Sequence, residues 1–157
     1  MKRLIGTLMT CLLFSGLVSG TVLADGDRQK VVYHLNDDDA GHETAVLRNV
    51  QNHINAVGAE NLNLKVVMHG DGLALLLYPD AKQSTKMKQA NATGEMQARI
   101  AGLKQHGVQF QVCANTLKGR NIDAKQDLYD VADEDIVPSG VAQRAILQGQ
   151  GYAYIKP

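Results

Sequence analysis

The sequence predicts a three-layer α/β domain built on a mainly parallel sheet of about five strands. Three observations predict it. Strand-like and helix-like segments alternate from residue 30 to the C-terminus. No internal repeat or low-complexity tract breaks that alternation. Once an N-terminal leader is set aside, roughly 130 residues remain, enough for one domain with its own core and too few for two. Right-handed crossovers between parallel strands then favour a doubly wound, flavodoxin-like arrangement with helices on both faces.

The elements follow in order. "KVVYHLN" (residues 30–36) is a β-branched run that ends in the turn-forming "NDDDAG". In "HETAVLRNVQNHINAVG", Val46, Val50, Ile54 and Val57 recur at three- and four-residue spacing, one apolar stripe of a helix with Gly58 as its C-cap. "NLKVVMHG" is a second strand, broken by "GDG". "LALLLYP" reads as a short helix stopping before Pro79, and is either buried or, as a concentrated apolar segment, part of an interface. "DAKQSTKMKQANATGE" (residues 80–95) is the longest polar stretch, expected to be a mobile loop or lid. Met96, Ile100 and Leu103 mark the next helix, up to Gly107, and "VQFQVC" the third strand. "ANTLKG" and "DAKQDLYDVA" are expected to be short helices, and "EDIVP" a very short strand. "SGVAQRAILQGQG" is a helix capped by Ser139, and "YAYIKP" the last strand.

Residues 1–24 read as a signal peptide. Lys2 and Arg3 precede an apolar stretch over residues 4–18, and "TVLADG" offers a cut after Ala24. Cys11 invites a lipidation reading, but Thr10 stands where a lipoprotein signal needs a very small residue. Release into a periplasm is expected, with no membrane attachment, and residues 25–157 form the single domain. Loss of Lys2 and Arg3 leaves 14 basic against 16 acidic residues. With no basic stripe and few aromatic residues, nucleic acid is excluded as a partner. Loss of Cys11 leaves Cys113 as the lone thiol, so no intramolecular disulfide forms. In an oxidising compartment such a cysteine is a buried small hydrophobe, an intermolecular bridge or a working sulfur.

Cys113 closes the third strand just where a helix is expected to begin. In an open α/β sheet, chemistry gathers at the carboxyl ends of strands. Unpaired amides and the positive end of a helix there favour thiolate over thiol. Lys118 and Arg120 are near in sequence. His34 closes the first strand and His69 the second, so two imidazoles and a sulfur would share one rim, with Asp37 and Asp71 in the loops beyond. A histidine there would take the thiol proton, orient a sulfur-bearing partner, or join His34, His69 and Cys113 in a metal site, although the spacing matches no compact metal motif. His42 and His53 fall in the first helix as solvated or capping residues. "HGDG" and "GQGYAY" are glycine turns without a phosphate-cradle pattern, "NDDDAGH" lacks the downstream glutamate of a calcium loop, and no G-x-S-x-G elbow is present.

"QHGVQFQVCANTLKGRNI", preceded by an amphipathic helix and a polar stretch, resembles the DsrE/DsrF-like sulfur-relay proteins. "KVVMHGDGL" resembles the second-strand region of that fold, and "PSG" with "GYAYIKP" its C-terminal end in exported members. The similarity spans residues 29–157. It implies a DsrE-like domain that assembles into homotrimers or homohexamers and carries a persulfide on Cys113. The function expected on this basis is that of a periplasmic sulfur carrier, sulfurtransferase-like in action, with no cofactor. Its partners would be sulfur donor and acceptor proteins or small sulfur compounds. His34, His69, Asn115 and Arg120 would bind or orient them, Arg120 by stabilising anionic sulfur. The competing expectation is a non-catalytic oligomeric module of the same fold that binds a small ligand or a metal.

Overall fold

The computed structural model describes residues 28–157, so the expected signal peptide and Cys11 lie outside the described residues. Five strands, β1 (Gln29–Leu35), β2 (Leu62–Met68), β3 (Gln109–Cys113), β4 (Ile136–Val137) and β5 (Ala153–Ile155), form one sheet in the order β4-β3-β2-β1-β5. Every pairing is parallel. The helices are α1 (Ala40–Val57), α2 (Gly94–Gln105), α3 (Ala114–Arg120), α4 (Ala124–Asp127) and α5 (Gly140–Gly149). This is the expected flavodoxin-like α/β architecture.

Local chemistry sets the boundaries. The Asp39 carboxylate accepts the His42 N–H at 2.6 Å and starts α1, about two turns before the apolar stripe begins at Val46. Gly58, at φ +89°, ends it by donating its N–H to the Ile54 carbonyl. Thr93 caps α2 and Ser139 caps α5. The "DAKQDLYDVA" helix stops after four residues. From Leu128 the chain is extended, because Leu128 pairs antiparallel with Leu77 and the Tyr129 N–H reaches the Leu76 carbonyl at 2.8 Å.

Alternation along the strands divides the interior into two unequal cores. Val31, Tyr33, Leu35, Leu64, Val66, Met68, Phe110 and Val112 join the α1 and α2 side chains in the large one. The opposite core is only Val32, Val67, Leu147 and Tyr152, beneath α5. Leu147 is the one fully buried large side chain of α5, and its truncation to alanine would cost about 3 kcal/mol and loosen the helix. With so little apolar material available on that side, polar groups occupy the rest: His34, Gln111 and Cys113 are all buried, and Gln111 accepts a hydrogen bond from Gln143 of α5.

Two expectations are corrected. "LALLLYP" is neither an α-helix nor an interface. Gly70–Leu75 is a 3-10 turn, and Leu73 to Leu77 are at most 1 % exposed, closing one end of the large core. The polar stretch 80–95 is pinned rather than loose: Met87 and Ala92 are buried, and backbone N–H groups of Lys86, Asn91 and Ala92 bond the carbonyls of Arg120, Ala74 and Leu77.

Candidate functional site

Cys113 is the last residue of β3 and the N-cap of α3, in extended conformation at φ −77° and ψ 114°. The strand presents Phe110 and Val112 to the large core, so Gln111 and Cys113 face α5. The residue is only 5 % exposed. Burial pushes the thiol pKa up, but four donors pull it down: the Gly140 N–H, the Thr116 hydroxyl, and the Thr116 and Asn115 N–H groups. The donors prevail, and Cys113 sits below the ordinary thiol value. The Thr116 hydroxyl oxygen accepts the Gly70 N–H at 2.9 Å, which leaves its proton directed to the sulfur.

Two helices therefore start at this sulfur. Asn115 and Thr116 supply the amides of α3, and Gly140 is the first residue of α5. Gly140 is in tight contact: a Cβ there would lie 3.0 Å from the His69 Cβ, 3.3 Å from the Cys113 Cβ and 3.4 Å from the Met68 carbonyl oxygen, so its neighbours would have to give by a few tenths of an ångström.

His34 and His69 also meet on this face. Their Nε2 atoms are 2.9 Å apart and the rings stack at 4.9 Å between centroids. His34 Nδ1 receives Arg144 Nη1 at 2.8 Å and the Tyr154 hydroxyl at 2.6 Å. A guanidinium only donates, so Nδ1 of His34 is an acceptor. Its proton is then on Nε2, donated to Nε2 of His69, whose own proton is on Nδ1. Burial and then the nearby Arg144 charge lower His34 to about 4, and the same two causes lower His69. Both imidazoles are neutral at physiological pH, so amides rather than an imidazolium stabilise the sulfur anion.

The expected site residues separate accordingly. Cys113, His34 and His69 converge. Asn115 contributes through its backbone N–H, with its side chain exposed. Arg120 is engaged elsewhere: it is ion-paired with Asp71 and donates to the Lys86 carbonyl at 3.1 Å, tying the end of α3 to the polar stretch. Metal binding fits poorly, because the two Nε2 atoms point at each other and a cation holds His34 Nδ1. Among the described residues no group of three His, Cys, Asp or Glu side chains is placed to hold a metal ion. His42 bonds Asp37 at 2.8 Å, and His53 bonds the Tyr33 hydroxyl at 3.2 Å. Four contributors were not identifiable as such from the sequence: Thr116, Gly140, Arg144 and Tyr154. The one available signal was the "PSG" cap, which marks a helix start without saying what it faces.

Comparison with known proteins places this arrangement. A search of curated proteins gives no match. A structure of a protein of unknown function, MTH1491 from Methanobacterium thermoautotrophicum, superposes with a TM-score of 0.65 at 27 % identity, covering 82 % of this chain and 99 % of that one. The crystal structure of the ychN protein from E. coli matches with a TM-score of 0.58 at 19 % identity over 82 % and 99 % of the two chains, a likeness of fold alone. The model of the DsrE/DsrF-like family matches residues 30–157, from the first strand to the C-terminus. The chain belongs to the DsrE/DsrF-like family.

Proposed function

We propose that the protein carries sulfane sulfur as a persulfide on Cys113. One observation supports this reading above the others: Cys113 stands where β3 ends and α3 begins, with the first residue of α5 packed against it, and the backbone N–H groups of Gly140, Thr116 and Asn115 with the Thr116 hydroxyl lower its pKa. The Cys113 thiolate attacks the outer sulfur of a polysulfide or persulfide donor, the donor's S–S bond breaks, and its electron pair leaves on the donor sulfur. An acceptor thiolate then attacks the outer sulfur of Cys113–S–S⁻ and restores the Cys113 thiolate. The first step benefits from a larger thiolate fraction at Cys113, and the second from a stabilised leaving group, because exchange is faster when the departing thiol has a low pKa. Mass spectrometry after incubation with polysulfide tests the reading. The wild type gains one sulfur that dithiothreitol removes, and Cys113→Ser gains none; an equal gain on Cys113→Ser refutes it.

Two further properties belong to this proposal. Export rests on Lys2, Arg3 and the apolar residues 4–18, and N-terminal sequencing of protein recovered from a periplasmic fraction would find a start after Ala24 rather than Met1. No described helix is long and apolar enough to cross a membrane. Self-assembly is supported by the large apolar side chains exposed on the described surface: Val141, Ile146 and Tyr154, all on α5 or β5. Light scattering after size exclusion would give a trimer or hexamer, reduced to a monomer by Ile146→Glu.

A further inference from the structure

Arg144, Tyr154 and Lys156 have no task in persulfide formation as such, yet they crowd the same rim. The strand order reverses at β1, which has β2 on one side and β5 on the other. In an open parallel sheet, such a reversal opens a crevice beyond the carboxyl ends of the strands, and ligands bind there. His34 lies on β1, Tyr154 on β5, Arg144 on the covering helix, and Lys156 just beyond β5. Arg144 is half-buried, and its Nη1 is shared between His34 Nδ1 at 2.8 Å and the Tyr154 hydroxyl at 3.3 Å. Both are neutral partners. The ion pairs among the described residues are made by other cations, and Arg144 forms none with a carboxylate. A half-desolvated guanidinium without a counter-anion is a ready partner for an oxyanion, and with Nε given to Gly140 and Nη1 to His34 and Tyr154 it is Nη2 that remains to bind one.

We propose that this rim is a sulfur-oxyanion subsite, and that it selects a thiosulfate-type donor whose sulfonate end is held by Arg144 while its sulfane sulfur faces Cys113. The proposal rests on the carrier reading of Cys113. Gly140 links the two halves of the site. Its N–H is directed at the Cys113 sulfur, its carbonyl accepts Arg144 Nε at 3.2 Å, and its Cα packs against His69. Cation and thiolate are thus anchored to the two ends of one residue. The reaction balances without a further reagent. The thiolate attacks the sulfane sulfur, the S–S bond of thiosulfate breaks, and sulfite departs with the electron pair, leaving Cys113–S–S⁻. The groups facing His34 are Arg144, His69, Lys156 and, less strongly, Asp37. A bound dianion would add negative charge among them and raise the pKa of the imidazole.

Calorimetric titration of inorganic thiosulfate into Cys113→Ser at low ionic strength separates binding from chemistry. Saturable one-to-one binding is expected, weakened at least tenfold by Arg144→Gln and partly restored by Arg144→Lys. A nuclear magnetic resonance titration of His34 provides a readout that needs no Arg144 variant: thiosulfate should raise its pKa by a unit or more. Binding that Arg144→Gln leaves intact, or the absence of saturable binding with His34 unshifted, overturns the subsite. Wild-type protein that loads sulfur from polysulfide but not from thiosulfate overturns the subsite and leaves the carrier reading standing. Failure to load from polysulfide strikes the carrier reading itself, while thiosulfate binding to Cys113→Ser remains measurable.

Discussion

Cys113 and Glu43 are both buried ionisable groups beside a helix start at the carboxyl end of a strand, and they behave oppositely. The thiol is held below its ordinary pKa, and the carboxyl is pushed up to about 8. Proximity to a helix terminus does not separate them; what separates them is which group takes the free amides. At the start of α1, Asp39 accepts the His42 N–H, and Glu43 one turn further finds a single donor, Asn91 Nδ2 at 2.7 Å. Burial is the main cause of its raised pKa, opposed by Asn91 and reinforced by Asp37, Asp38 and Asp39. Its Oε1 has no hydrogen-bond partner. At the start of α3 no carboxylate takes the amides, and the N–H groups of Asn115 and Thr116, with Gly140 of α5, lower the pKa of the thiol. A helix N-terminus stabilises an anion only when its N–H groups are unspent.

The contrast can be broken at either end. The largest effect is expected at Glu43. Its folded pKa of about 8 stands above the ordinary 4.5. Between those values the folded state holds one more proton than the unfolded state, so stability is full below pH 4.5 and falls as pH rises towards 8. The loss is of order 3–5 kcal/mol. Urea unfolding at pH 5 and pH 8 should show that decline in the wild type and a much flatter response in Glu43→Gln. Equal slopes in the two proteins would remove the uncharged-carboxyl account.

At the other end, Gly140→Ala places a methyl group against the Cβ atoms of His69 and Cys113, which the α5 terminus relieves by moving a few tenths of an ångström away from the sulfur. Weakening of that amide's contact should raise the thiol pKa and slow iodoacetamide alkylation at pH 7 several-fold. Thr116→Val removes one donor of the four and leaves the Gly70 N–H without its acceptor. A three- to fivefold slowing is expected, with about 1–2 kcal/mol of stability lost to the unpaired amide. The smallest signal concerns the imidazoles. Because His34 titrates near 4 and His69 is lowered as well, the alkylation profile should rise with a single ionisation and show no step between pH 6 and 7. A second step there would mean a cysteine–imidazolium pair.

Much of this was legible in the sequence. The strand–helix alternation gave the parallel sheet, and the position of Cys113 at the end of "VQFQVC" gave its place at the head of α3. His34 and His69 were readable as strand-end residues because each closes an apolar run. What was not legible passes between layers. Gly140 follows a cap and looks like an ordinary helix start, yet its use lies in the absence of a Cβ beside His69. Arg144, one turn later, resembles any charge on a solvated helix face. Arg120 was misread because nearness in sequence to Cys113 says nothing of direction, and its guanidinium turns to Asp71. "LALLLYP" was ambiguous because a continuous apolar run carries no period, and a 3-10 turn buried it whole. The 80–95 stretch is polar in composition, but three buried apolar residues, Ala81, Met87 and Ala92, hold it down.

The most direct test is the pKa of Cys113 itself, measured from the pH dependence of thiolate absorbance or alkylation in the intact protein. Amide stabilisation predicts a value clearly below the free-thiol reference of about 8.5. A value at or above that reference would show that burial outweighs the four donors, and would contradict the account.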